Sequence, residues 1–94
     1  MMMITVKILN YGVFNEGLLR FEIDENTTVY DILKKIDEEY GEKYGENSGR
    51  KLLDDIKSNY RLFLNNNYLE ISAIAEQEVK DEDYLLILKP ISGG

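Results

Sequence analysis

Two short runs near the start of the chain alternate between apolar and polar residues. In residues 3–9, and again in residues 19–23, every second side chain is aliphatic or aromatic. A period of two is typical of strands that bury one face. The intervening residues 10–17 contain two glycines and two asparagines, which favour a change of chain direction. The pattern therefore predicts a β-hairpin.

The next apolar positions are three and four residues apart, which is the period of a helix. Thr28 and Asp31 have the spacing of a capping box, in which each side chain accepts a hydrogen bond from the backbone of the other residue. The apolar stripe that follows contains Val29, Ile32, Leu33, Ile36 and Tyr40. We expect an amphipathic helix that ends at Gly41, because glycine commonly follows the last residue of a helix.

The region after this helix has no clear period. Residues 42–50 are polar and contain two glycines, so they are predicted to form a surface loop. The Gly-Lys-Ser/Thr ending of a phosphate-binding loop is missing from them. Apolar residues within residues 51–57 predict a short second helix at the edge of the core.

The second half of the chain predicts three more strands, at residues 60–64, 68–69 and 84–88. Three asparagines at residues 65–67 favour a tight turn, because asparagine tolerates the left-handed backbone conformation. Residues 71–79 are expected to form a compact turn or a single helical turn under the sheet.

The last predicted strand is apolar at four successive positions, residues 85–88. A strand with one face in water would alternate, so both faces are expected to be covered. The main helix can cover one of them. The other face is either a partner surface, to which Phe63 would contribute, or it packs under the short helix at residues 51–57. The sequence leaves both alternatives open.

The composition limits the possible functions. The 94 residues, 44% apolar and 31% charged, fit one domain with one core, which we place at residues 1–94 with an ordered part at about residues 3–89. The chain has no histidine and no cysteine, which excludes disulfides, thiolate metal sites and the usual nucleophiles and bases. A net charge of −7 opposes binding to phosphate backbones. Without a membrane-spanning run or a signal peptide, a soluble cytoplasmic protein is expected.

Three successive carboxylates at residues 81–83 raise the question of a metal site. The further oxygen ligands and the glycine of a calcium-binding loop are missing at the required spacing. A charged β-turn is the better interpretation, and no metal site is predicted.

The end of the chain has the chemistry of a substrate. Pro90 cannot donate to a sheet ladder, so it marks the end of the last strand and the start of an exposed tail at residues 90–94. The tail ends on Gly93 and Gly94. A carboxyl group carried by residues without side chains can enter a narrow active-site channel that a β-carbon would block. The alternative is a frayed end without function.

The same part of the chain resembles a known family. Residues 79–85, Val-Lys-Asp-Glu-Asp-Tyr-Leu, are similar to the pattern Leu-x-Asp-Gly-Asp-x-Val, with Glu82 in place of the glycine. Residues 88–94, Leu-Lys-Pro-Ile-Ser-Gly-Gly, are similar to Phe-Pro-Pro-Val-Ser-Gly-Gly. Both patterns belong to the MoaD-type sulfur carriers, the small subunits of molybdopterin synthase in the MoaD/ThiS group of ubiquitin-like proteins. The resemblance implies an α+β fold of the β-grasp type, with a mixed sheet packed on one main helix and a flexible C-terminal diglycine tail.

The resemblance also implies a chemical cycle. A MoeB-type adenylating enzyme uses ATP to activate the terminal carboxylate, and a sulfur donor converts it to a thiocarboxylate. A large MoaE-type subunit then transfers the sulfur to a pterin precursor of the molybdenum or tungsten cofactor. Such a carrier binds no cofactor, and its partners supply the acid–base groups. The residues implied are Gly94 as the reacting residue, Gly93, Ser92, Ile91 and Pro90 in the tail, and Leu88 and Leu86 at the partner interface, where Phe63 would join them.

Other functions stay open at this point. A ubiquitin-like modifier would share the activation step and would be joined through Gly94 to lysines of other proteins. A β-grasp adaptor would only bind a partner. Thiamine synthesis and tRNA thiolation are further destinations for the sulfur of a carrier. No nucleic-acid or membrane partner is predicted.

Overall fold

The structure is a computed structural model that describes residues 1–9, 18–48 and 51–88, without the side chains of residues 43–48. The predicted loop at residues 10–17 and the predicted tail at residues 90–94 lie outside this description. The elements are β1 (Met2–Leu9), β2 (Leu18–Ile23), α1 (Val29–Ser48), α2 (Leu52–Asn59), β3 (Arg61–Leu64), β4 (Asn67–Leu69), a 3₁₀ turn (Ile71–Ala73) and β5 (Tyr84–Leu88).

All five strands belong to one mixed sheet in the order β2-β1-β5-β3-β4. β5 lies in the middle, parallel to β1 and antiparallel to β3. The two predicted hairpins, β1–β2 and β3–β4, are antiparallel pairs. A sheet in which the last strand enters beside the first, with helices packed on it, is the β-grasp arrangement of the α+β class. The predicted fold is confirmed.

The core lies between the two helices and one face of the sheet, which we call the inner face. The predicted helical stripe of α1 is buried there, except for the partly buried Tyr40. Burial of one aliphatic side chain contributes roughly 1.5–3 kcal/mol, so this cluster dominates the stability of the domain. Its fully inaccessible members are Ile4, Val6, Val29, Ile32, Leu33, Ile36, Leu52, Ile56, Leu62, Leu85 and Ile87.

Two sets of hydrogen bonds fix the start of α1, one within the capping box and one to the segment that follows β4. Thr28 N–H donates to Asp31 Oδ2 at 3.0 Å, and Asp31 N–H donates to Thr28 Oγ1 at 3.2 Å, which confirms the capping box. The N–H groups of Val29 and Tyr30 have no partner within the helix and donate to carbonyl groups in residues 74–77. The predicted compact turn after β4 therefore anchors the helix that covers the sheet.

α1 continues past Gly41 to Ser48, so the predicted helix end at Gly41 and the predicted loop over residues 42–48 are wrong. The reason lies one turn earlier, at Asp37. Its Oδ1 accepts a hydrogen bond from Leu53 N–H at 3.1 Å, which satisfies a free donor in the first turn of α2. A β-carbon at position 41 would lie only 2.7 Å from this oxygen. Glycine at this position leaves space for the cap and does not end the helix.

The predicted short helix is present as α2, which begins one residue later and ends two residues later than predicted. Leu52 and Ile56 are fully buried in the cluster that contains the inward side chains of β5. The alternative in which this helix covers the other face of β5 is therefore wrong. Tyr60, predicted to begin the third strand, is the C-terminal cap of α2: its N–H donates to Ile56 O at 3.2 Å, and its own backbone is extended.

Candidate functional site

The predicted interface residues lie on the outer face of the sheet, opposite the helices. Leu85 and Ile87 are the inward side chains of β5, so Leu86 and Leu88 belong to the outer face, where both are half-buried. Phe63 of β3 lies directly opposite Leu86 in the antiparallel register and is half-buried as well. The fold thus brings these three residues together on one surface.

Strand register places five side chains in a line across the outer face, which we call the outer row. From β2 to β4 these residues are Leu18, Lys7, Leu86, Phe63 and Tyr68. Leu18 and Tyr68 at the two ends are 54% and 51% exposed, and the other three are half-buried. The rings of Phe63 and Tyr68 meet edge to face with their centroids 5.7 Å apart. Four of the five side chains are aliphatic or aromatic, and Lys7 lies among them. A mainly apolar surface of this kind is typical of protein contact sites.

Three members of this surface were not predicted from the sequence: Leu18, Lys7 and Tyr68. A signal was available, because each residue has the opposite parity to the buried positions of its strand. The register was missing, however, and register decides which outward residues become neighbours.

One border of the outer face lies at the C-terminal end of β5. β5 is parallel to β1 and antiparallel to β3, so its last residue, Leu88, lies beside Leu9 and opposite Arg61. We call this line of three residues the exit edge. The predicted tail residues Pro90, Ile91, Ser92, Gly93 and Gly94 lie outside the described residues, and their roles stay predictions. β5 therefore ends at the border of the candidate docking surface.

The acidic turn before β5 lies at the opposite border, which we call the far end. Asp81 Oδ1 accepts a hydrogen bond from Met3 N–H at 2.8 Å. Asp83 Oδ1 accepts one from Asn65 Nδ2 at 2.9 Å. These two carboxylates thus tie the turn to β1 and to the turn between β3 and β4.

A metal site needs several ligand side chains close together, and a helical membrane span needs a long run of apolar residues. Within residues 1–9, 18–48 and 51–88, no group of three or more possible ligand side chains is arranged to hold a metal ion. No helix in the same ranges is both long enough and apolar enough to cross a bilayer.

Comparison with known proteins yields one family and several structural relatives. The ThiS family matches residues 14–94. Among curated protein sequences there is no significant match. Small archaeal modifier protein 1 from Haloferax volcanii is similar with a TM-score of 0.69 at 16% identity, over 98% of this chain and 99% of that chain.

Two other solved structures have the same architecture. One is a protein provisionally assigned as molybdopterin converting factor subunit 1 from Pyrococcus furiosus, with a TM-score of 0.65 at 18% identity, over 97% of this chain and 100% of that chain. The other is small archaeal modifier protein 1 from Methanosarcina acetivorans, with a TM-score of 0.65 at 23% identity, over 100% and 98%. At these identities the structures support the fold, whereas the family match covers most of the sequence. The chain belongs to the ThiS family, the MoaD/ThiS group of ubiquitin-like β-grasp proteins.

Proposed function

We propose that this chain is a sulfur carrier that serves as the small subunit of molybdopterin synthase. The observation that carries the proposal is the extent of the ThiS family match, which runs through residue 94 and so includes the diglycine. The geometry of the sheet supports it, because β5, the strand that precedes the tail in the sequence, ends at the exit edge beside a mainly apolar surface. A tail and an adjoining docking face are what a carrier needs to present its terminus to another protein.

The proposed cycle begins with activation of Gly94. A carboxylate is a poor electrophile until one of its oxygens becomes part of a leaving group. The MoeB-type adenylating enzyme therefore joins this carboxylate to the α-phosphate of ATP and releases pyrophosphate. A sulfur donor at the oxidation level of sulfide attacks the acyl carbon, and AMP leaves. The product is a thiocarboxylate, in which one sulfur has replaced one oxygen.

The MoaE-type large subunit then consumes the thiocarboxylate. It transfers the sulfur to a pterin precursor of the molybdenum or tungsten cofactor, and water restores the carboxylate of Gly94. The absence of β-carbons at Gly93 and Gly94 suits passage through a narrow channel. Because the chain contains neither histidine nor cysteine, the partners provide the acid–base groups. The proposal places this exchange in the cytoplasm, with no cofactor bound to the carrier itself.

The outer face is the proposed docking surface for these partners. Leu86, Leu88 and Phe63 are half-buried in the free chain, so contact with a partner would remove their remaining apolar area from water. Aromatic residues in the centre of an interface commonly dominate its binding energy, which favours Phe63 with its neighbour Tyr68.

Intact-mass spectrometry tests the proposal. The purified chain is incubated with ATP, sulfide and the adenylating enzyme encoded in the same genome. We expect a mass gain equal to one exchange of oxygen for sulfur, located on the C-terminal peptide. A variant with one alanine added after Gly94 is the matched control, and it should fold normally but stay unloaded. An unloaded wild-type chain, or full loading of the extended variant, would contradict the proposal.

A second candidate is a protein modifier. The likeness to small archaeal modifier protein 1 from two organisms favours it. Both candidates require adenylation, but they differ in the fate of the tail. In the native cell, an N-terminally tagged chain that forms a ladder of conjugates supports the modifier, whereas a thiocarboxylate without a ladder supports the carrier. Thiamine synthesis and tRNA thiolation are alternative uses of the same thiocarboxylate. A strain that lacks this chain distinguishes these uses. If it loses molybdenum- or tungsten-dependent enzyme activity but keeps thiamine synthesis and tRNA thiolation, the result favours our proposal over these two alternatives.

A further inference from the structure

The ratio of acidic to basic residues is different in the strands and in the whole chain. The chain has 18 acidic and 11 basic residues, and its net charge is −7. The strands carry only one acidic residue, Glu22, and three basic residues, Lys7, Arg20 and Arg61. The strand register places all four on the outer face. A negatively charged domain therefore presents an apolar surface whose own charges are mainly positive.

These charges are also ordered along the strands. Arg61 lies on the exit edge, and Lys7 lies two residues from that edge along β1. Arg20 pairs with Thr5, two residues farther along β1. Glu22 lies beside Met3 at the far end, where Asp81 also binds the backbone of Met3. The outer face is thus positive from the exit edge as far as Arg20 and negative at the far end.

A depression of about 250 Å³ adjoins the exit edge at the β4 side of the sheet. It is lined by residues 57–61, between α2 and β3, together with Tyr68 and Ile71. Two of the lining residues are charged, Lys57 and Arg61, and both are basic and exposed. None of the lining residues is acidic, so the depression suits a carboxylate.

Asp55 lies close to this depression but is out of reach of a partner. Its side chain is only 3% exposed, and Asn59 Nδ2 donates a hydrogen bond to its Oδ1. From the solvent side, a partner therefore meets Lys57 and Arg61 rather than this buried carboxylate.

We propose that the outer face docks on the adenylating enzyme through an apolar strip that is bordered by carboxylates where the tail enters. One of these carboxylates occupies the depression between Lys57 and Arg61. The inference rests on the proposed function in that the tail and the outer face engage the same protein. The charge order fixes the orientation, because docking in the reverse direction would place the partner's carboxylates against the acidic far end. Correct orientation directs the diglycine into the channel.

Two lysines provide a matched pair of positions for the test. The Nζ atoms of Lys34 and Lys57 lie 5.7 and 5.9 Å from the centroid of the same ring, that of Tyr30. Both side chains are exposed, but only Lys57 lines the depression. Lys34→Glu and Lys57→Glu therefore make the same change in net charge, and each removes one cation–π contact with Tyr30. They differ in their effect on the depression.

The experiment measures affinity for the purified adenylating enzyme from the same genome, which a carrier and a modifier both require. Isothermal titration calorimetry at low and at raised salt gives the Kd of the wild type and of three variants. At low salt, Arg61→Glu and Lys57→Glu should each raise the Kd by about tenfold or more, and Lys34→Glu by less than about twofold. Raised salt should reduce these differences, because the opposing charges are screened. Circular dichroism verifies that each variant is folded.

Three results would overturn the inference. They are equal Kd values for the wild type and Arg61→Glu, equal losses for Lys34→Glu and Lys57→Glu, and no binding by the wild type. Sulfur loading of the wild type is measured in parallel by intact mass. If the wild type is loaded with sulfur and Arg61→Glu binds as tightly as the wild type, the docking inference is refuted and the proposed function stands. If the wild type stays unloaded but the variants lose affinity as expected, the proposed function is refuted and the docking inference stands.

Discussion

The two faces of β5 carry the same kind of side chain but have different surroundings. Leu85 and Ile87 are fully inaccessible and belong to the core. Leu86 and Leu88 alternate with them and stay half-buried on the outer face. Apolar character alone therefore predicts that a face will be covered, but not whether the cover comes from the same chain or from a partner.

The placement of the helices creates this difference. The stripe of α1 and the apolar residues of α2 belong to one buried cluster with the inner face of the sheet. In the outer row, the apolar residues Leu86 and Phe63 are half-buried, whereas Leu18 and Tyr68 at the two ends are exposed. We therefore expect inner-face substitutions to change stability and outer-face substitutions to change binding.

Aspartate at position 87 or 88 gives the largest expected contrast. Ile87→Asp places a charge at a fully inaccessible position, and the cost of several kcal/mol is comparable to the whole stability of a small domain, about 5–15 kcal/mol. We expect this variant to be largely unfolded by circular dichroism. Leu88→Asp should remain folded and should bind the adenylating enzyme about tenfold or more weakly, because it introduces a charge into the proposed docking surface.

Each half of this pair has an outcome that contradicts it. Similar urea midpoints for both variants would mean that the two faces are equally buried. A folded Leu88→Asp variant with the affinity of the wild type would remove Leu88 from the docking surface. Leu88→Ala is the milder control, since it shortens the side chain without adding charge.

The cap between the two helices gives a smaller effect, which acts on the cover of the inner face. Asp37→Ala removes the acceptor for Leu53 N–H and should cost about 1 kcal/mol of stability, the usual value of a helix cap. Gly41→Ala should then gain about 1 kcal/mol in the Asp37→Ala background, because alanine favours a helix interior and no carboxylate obstructs its β-carbon. In the wild-type background the same change should gain less, because the Asp37 side chain must move.

Urea denaturation of the four proteins in this cycle measures the coupling between positions 37 and 41. Additive effects would show that Gly41 has no relation to the cap. Affinity for the adenylating enzyme should be the same in all four proteins, because neither residue lies on the outer face.

Local patterns in the sequence predicted most of the fold. The strands and the stripe of α1 follow from the spacing of nearby residues, and the capping box links residues only three positions apart. The end of α1 was predicted wrongly because the role of Gly41 depends on the contact between Asp37 and Leu53, which are 16 positions apart. The predicted partner surface lacked members of the outer row for a similar reason, since Lys7 and Leu86 become neighbours only through the pairing of β1 with β5. The diglycine was found from its chemistry, and the described residues do not test it.

The smallest predicted effect concerns the turn at the far end of the outer face. Glu82 has a left-handed backbone with φ at 67°, at the position where the family pattern has glycine. Glu82→Gly should relieve a strain of roughly 1–2 kcal/mol, offset by about 0.5–1 kcal/mol because glycine also gives the unfolded chain more freedom. Urea denaturation should therefore show a net increase of roughly 0.5–1 kcal/mol in the free energy of unfolding.

Glu82→Ala separates backbone strain from charge repulsion in this turn. Alanine removes the same charge beside Asp81 and Asp83 but keeps the unfavourable left-handed conformation, so it should give less gain than glycine. Equal gains from both variants would assign the effect to charge. Neither variant should change the affinity for the adenylating enzyme by more than about twofold, because the proposed carboxylate contact lies at the exit edge, at the opposite end of the sheet. A larger loss of affinity would mean that the far end also contacts the partner, and that the outer face docks along its whole length.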